Sequence, residues 1–149
     1  MNWPRPWRDN KGSATLEFAV VGWLLCMLTF AIVEAGLLWW LKSGMQIAAS
    51  MAARCGAIGY TYSFANTACP NATPSTVKDY AVNTANTFVM PGVLTTANVT
   101  LNGTSGFVTT CNGQSGNYFS VTVSSGFFTF LPPPIGNTTI TGTACYPLP

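Results

Sequence analysis

The chain is 149 residues long, with six Lys and Arg, four Asp and Glu, no His and a formal net charge of +2. Charged residues make up 7% of it, far below the ~25% of ordinary soluble domains, so no basic face for nucleic acid exists. The missing imidazole removes the usual general base and metal ligand, and the length accommodates one small domain with accessories rather than two cores.

Met1 to Lys11 (MNWPRPWRDNK) is short, basic and broken by prolines, and reads as a leader on the cytoplasmic side of a membrane. The run Phe18 to Leu41 follows, with Glu34 its one charged side chain. A bilayer core takes about 20 helical residues to cross, so this run spans it with some tilt. A secretory signal would have an apolar region of roughly 7–15 residues with a small-residue cleavage site close behind. Here Ala48, Ala49 and Ser50 lie well beyond a longer run, so a retained transmembrane helix is expected. Trp39 and Trp40 suit an aromatic belt where the helix leaves the membrane.

The helix is expected to continue past the membrane surface. Lys42, Gln46, Ser50 and Arg54 recur every four residues, while Met45, Ala48, Ala49, Met51, Ala52 and Cys55 fill the other faces, the pattern of an amphipathic helix. Ala48, Ala52 and Gly56 are spaced small-xxx-small, as are Ala31 and Ala35, which permits close approach by another helix. Ala is equally a good helix former in its own right.

Arg5, Arg8 and Lys11 before the span outnumber Lys42 and Arg54 after it, which points the N-terminus into the cytoplasm. Cys55, Cys69, Cys111 and Cys145 all follow the span. An even set in a small domain reads as two disulfides in an oxidising compartment. The preferred pairs are Cys55–Cys69, tying the helix end to the next loop, and Cys111–Cys145, tying a strand turn to the last strand; the other connectivities stay open. Cys26, inside the span, serves as a small apolar residue.

The long helix should end near Gly56 or Gly59, before a loop containing Cys69 and Pro70. Thr73 or Ser75 can cap a short helix with Val77, Tyr80, Ala81, Thr84 and Phe88 on one face, closed by Pro91 and Gly92. Strand signals follow at Val99–Asn102 and Phe107–Cys111, an Asn-Gly turn at 112–113, a clean alternation over Tyr118–Ser124 with Phe119, Val121 and Val123 on one face, and Thr138–Cys145 after a Pro-rich crossing at Leu131–Pro134. The expected fold class is α+β: a long N-terminal transmembrane helix and a small extracytoplasmic head of one short helix and three to four antiparallel strands. Its divisions are a leader at 1–12, the transmembrane helix with its amphipathic extension at 13–59, and the head at 60–149.

Catalytic chemistry is not written into this chain. Glu17 and Glu34, the only glutamates, lie roughly 25 Å apart on one helix, too far for an acid/base pair within one subunit. No nucleophile–base pair, phosphate loop or metal-ligand spacing is present, and neither an enzyme nor a cofactor is expected.

One segment carries specific information. Lys11-Gly12-Ser13-Ala14-Thr15-Leu16-Glu17-Phe18 ends a basic leader in Gly, and a Glu five residues later opens the apolar helix. This resembles the type IV prepilin processing site, where a membrane aspartyl peptidase cuts after the Gly. Ser13 would become the new N-terminus, and Glu17 would meet the free α-amine of a neighbouring subunit. Read without the resemblance, Glu17 is a carboxylate favoured at a helix N-terminus by the macrodipole. The longer phrase Gly-Ser-Ala-Thr-Leu-Glu-Phe-Ala-Val-Val, with Glu34-Ala35-Gly36 at the far end of the apolar run, looks like the TadE-like family of tight-adherence (Flp) pilus assembly proteins. The strong likeness covers about residues 11 to 55. Three features depart from it: Gly22-Trp23 stands where a Pro is often found, and the four outer cysteines and the Trp39-Trp40 pair look particular to this chain.

The resemblance implies a minor pseudopilin that works by subunit helix packing through Glu17 and Glu34. Its partners would be the inner membrane, prepilin peptidase, other pilin or pseudopilin subunits and the pilus assembly machinery, with no nucleic acid. The location it implies is the bacterial inner membrane, single-pass, with the C-terminal domain periplasmic, or extracellular once in a pilus. A permanently anchored periplasmic binding or adhesion domain, and a major pilin of a related filament, remain open alternatives.

Overall fold

A computed structural model describes residues 11–61, 72–88, 92, 94–127 and 138–148. Most of the leader, the Cys69–Pro70 loop, Pro91 and the Leu131–Pro134 crossing lie outside them. The chain forms two compact units, Met1–Gly36 and Leu37–Pro149. Helix α1, Lys11–Thr61, runs for 51 residues without a proline. Its Thr15–Gly59 part is the one helix among the described residues long and apolar enough to cross a membrane.

In the first unit the apolar side chains of α1 point outward all round: Leu16, Phe18, Trp23, Leu24, Phe30 and Ile32 are all exposed. A helix that is apolar on every face and meets no protein core needs a nonpolar solvent. In the second unit the same helix becomes one-sided. Leu41, Met45, Ala48, Ala49, Ala52, Ala53 and Ala57 are buried, while Lys42, Gln46, Ser50 and Arg54 stay exposed, the four-residue stripe read from the sequence.

Helix α2, Pro74–Phe88, spans 15 residues. Thr73 is its cap: its Oγ1 accepts the Thr76 amide at 3.3 Å, and the Thr73 amide donates to Thr76 Oγ1 at 2.9 Å. This is a reciprocal box with Thr standing where Glu or Gln is usual, and Pro74 occupies the first helical position, where its missing N–H costs nothing. The helix buries Val77, Ala81 and Ala85. Phe88 lies only about 20° round from Val77 but is 42% exposed, because it sits at the helix end beyond the last buried turn.

Among the described residues the sheet has four antiparallel strands, β1 Val99–Leu101, β2 Phe107–Cys111, β3 Gln114–Phe127 and β4 Thr138–Pro147. Every pairing between these strands is made by β3. One edge is covered by β4, from Tyr118↔Pro147 to Phe127↔Thr138. The other edge is shared in tandem, with β1 opposite Val121–Val123 and β2 opposite Gln114–Phe119. The Asn112–Gly113 turn joining β2 to β3 has φ of 50° and 80°, the twin positive values of a type I′ hairpin turn.

Inward alternation puts Phe119, Val121 and Val123 of β3, Val99 of β1 and Ile140 of β4 into one buried cluster with α1 and α2. The ring of Phe107 meets that of Phe119 edge-on, centroids 5.4 Å apart. Each fully buried valine stabilises the fold by ~1.5–3 kcal/mol relative to exposure.

The outer face is not uniformly wet. Ser120 points away from the core, yet it is buried and accepts a 2.7 Å bond from Asn102 Nδ2, which also reaches Thr122 Oγ1 at 2.9 Å. The cover comes from the β2–β3 hairpin. Cys111 pairs with Gln114 and Cys145 with Ser120, on opposite edges of β3 and six residues apart along it. Their Cα atoms are nonetheless 6.4 Å apart, joined by a disulfide. The hairpin must therefore curl over the outer face, a bend helped by the register shift between Val108 and Thr110, since a bulge adds local twist. Cys55 is also disulfide-bonded; Cys69, its preferred partner from the sequence, lies outside the described residues.

Replacing both Cys111 and Cys145 by Ser should lower head stability by ~2–4 kcal/mol without removing the sheet, whose ladder does not depend on the bond. Thermal unfolding of the full chain in detergent, with and without the substitutions, measures this; an unchanged midpoint would show that the hairpin holds its curl unaided.

Candidate functional site

The residues singled out from the sequence fall on α1. Gly12 and Ser13 are in its first turn, and Glu17 follows about 7.5 Å further along the axis, exposed on the helix surface. Glu34 is half-buried on the same helix. The two carboxylates are not brought together: rise and rotation along one straight element keep them apart, as the sequence spacing required. Among the described residues no group of three or more His, Cys, Asp or Glu is arranged to hold a metal ion.

The stretch from Thr15 to Trp40 has the chemistry of a lipid-facing or subunit-facing surface. Val20, Leu24, Leu28 and Val33 are all exposed, and the small side chains along it, Gly22 and Gly36, have no heavy atom within 4 Å of where a Cβ would stand. Backbone donors and acceptors there are satisfied within the helix, the condition for stability in hydrocarbon.

Past Leu41 the helix is fixed from its other side. Gln46 Nε2 donates to the Thr143 carbonyl at 2.8 Å, and Gly142 of β4 lies against the Met45–Gln46 backbone. The ring of Phe119 fills the space a side chain at Gly56 would need. These contacts answer what the Ala48/Ala52/Gly56 stripe approaches: the chain's own sheet.

Sequence reasoning did not single out Gln46, Gly142 or the Trp40 indole as contact makers. A lone glycine within a Thr-rich strand was the one signal for Gly142, since glycine inside a strand marks close approach by another backbone.

Residues 12–54 match the TadE-like protein family model. The matched segment opens on Gly12, includes Glu17 and Glu34, runs the length of the exposed apolar stretch and ends where α1 is packed on the sheet. The TadE-like likeness thus covers the helix, while α2, the four strands and the Cys111–Cys145 bond lie outside it. No curated protein matches the chain. No solved structure matches it either.

Proposed function

We propose that the protein is a minor pseudopilin of a tight-adherence (Flp, type IV-like) pilus assembly or secretion system, a structural subunit rather than an enzyme. The observation that carries this reading is the TadE-like match over residues 12–54, whose first residue is the glycine of a processing-like motif. The 51-residue helix with an exposed apolar first half supports it.

In this reading 1–12 is a cytoplasmic leader, 13–59 the inner-membrane helix with its extension, and 60–149 a periplasmic head. Prepilin peptidase hydrolyses the Gly12–Ser13 bond, leaving a carboxylate on the leader and a free ammonium on Ser13. Glu17 then supplies the counter-charge for the ammonium of an adjacent subunit, because an amine carried into a membrane-level interface is costly without one. Glu34 contributes a second polar contact along the packed helices. Partners are other pilin or pseudopilin subunits and the assembly machinery.

Intact-mass measurement of protein purified from a native membrane with an active prepilin peptidase should find Ser13 as the first residue. Gly12→Leu should leave the chain uncut and anchored. A wild-type chain still carrying Met1 under those conditions would overturn the pseudopilin reading and leave a permanently anchored domain in its place.

A further inference from the structure

Exposed rings gather where the apolar run ends. Trp39 and Trp40 are 78% and 63% exposed, and a third large ring, Phe88, is 42% exposed although it comes from α2. Trp40 and Phe88 are joined directly: the indole Nε1–H of Trp40 donates to the Phe88 carbonyl at 2.9 Å. All three residues belong to the second unit.

This hydrogen bond is informative because of which groups make it. The last carbonyls of a helix have no intrahelical donor, and one carried toward the hydrocarbon without a partner is costly. Trp40 satisfies the one at the end of α2 while leaving the faces of its own ring open. A tryptophan at the end of an apolar span settles at head-group level. A group hydrogen-bonded to its indole must lie at the same depth. Lys42, exposed two residues further on, is about 3 Å higher along the axis and about 200° round it from Trp40, at a height where an ammonium suits lipid phosphates.

We propose that the Trp40–Phe88 clasp forms a second bilayer contact. The C-terminal end of α2 rests on the outer lipid interface, with the Phe88 ring entering it beside Trp40 and Lys42 meeting the phosphates. The occupant is a lipid surface because Trp40, which holds the Phe88 carbonyl, stands inside the apolar run read as the membrane span. The inference rests on the reading of α1 as a membrane helix. It adds that the head meets the membrane surface through two elements rather than through one helix alone.

The test uses the full chain, with Cys26 changed to Ala, in vesicles of phosphatidylethanolamine and phosphatidylglycerol. Single cysteines at positions 88, 50 and 28 carry an environment-sensitive fluorophore, and lipids brominated near the head group or deep in the chains act as quenchers. The probe at 88 should be quenched by shallow bromines several-fold more than the probe at 50. The probe at 28, quenched by deep bromines, reports insertion of the span. In a Trp40→Phe background, which keeps a ring but removes the N–H, quenching at 88 should fall toward the level at 50. A probe at 88 no more quenched than that at 50, while 28 is quenched, overturns the inference and leaves the anchor intact. Quenching at 88 that survives Trp40→Phe overturns it too, and loss of quenching at 28 refutes the membrane helix itself.

Discussion

Replacing Gly142 by valine is expected to unfold the head or bring it close to unfolding. Gly142 is buried on the inner face of β4, opposite Val123, and its strand lies directly on α1. A Cβ at this position would stand 2.7 Å from the Met45 carbonyl carbon and 2.8 Å from both the Gln46 nitrogen and the Met45 oxygen. These are backbone atoms of a helix, so no side chain can swing aside, and relief requires α1 to lift from the sheet. Overpacking a core ordinarily costs ~1–3 kcal/mol. Separation of helix and sheet would also disturb the Gln46–Thr143 bond and the alanine layer, raising the loss beyond about 3 kcal/mol, a large share of the ~5–15 kcal/mol that holds a domain together. The unfolding midpoint of the full chain in detergent should then fall by more than about 12 °C.

Gly126→Ala is the matched comparison. It lies on an exposed part of β3 where an added Cβ meets nothing within 4 Å, and its effect should stay within about 0.5 kcal/mol. Equal midpoints for the Gly142 and Gly126 variants would refute the close approach of α1 to β4.

Glu17→Gln is expected to abolish assembly without disturbing the protein that carries it. Insertion depends on the apolar run, and head folding depends on residues from Leu37 onward, so expression, cleavage and the Cys111–Cys145 bond should all match wild type. What changes under the proposed mechanism is the counter-charge for a neighbouring Ser13 ammonium. Leaving one member of a buried pair alone costs ~3–5 kcal/mol, and 3 kcal/mol is roughly a 100-fold weakening of each subunit contact. Glu17→Asp should be intermediate, since the charge survives on a shorter side chain, and Glu34→Gln should be milder than Glu17→Gln. A piliation or surface-adherence assay on inserted, cleaved variants reads the difference. Wild-type piliation by Glu17→Gln would reduce the carboxylate to a favourable helix start and remove the central residue of the mechanism.

Local pattern alone determined a good deal of this protein. The apolar run gave the long helix, because nothing but length and side-chain polarity decides whether a segment suits hydrocarbon. The four-residue recurrence of Lys42, Gln46, Ser50 and Arg54 marked which side of α1 stays wet, and the alternation of Phe119, Val121 and Val123 marked the inner face of β3. Asn112–Gly113 marked the turn, because the two positive φ values of that turn suit Asn and Gly above other residues. The Gly12–Glu17 spacing and the likeness over the helix were equally legible, being properties of consecutive residues.

The tertiary structure decided what those faces meet. A stripe of Ala48, Ala52 and Gly56 permits close approach but does not name the visitor; the fold assigns it to the chain's own sheet, through Phe119 and Gly142. Ser120, read from its alternation as an outward polar residue, is buried because the curled hairpin covers it and Asn102 satisfies it. Trp40, read as an aromatic-belt residue, also closes the end of α2, 48 positions away. Periodicity records the chemistry of a surface, whereas its partner depends on contacts between residues far apart in the chain, which no local window contains.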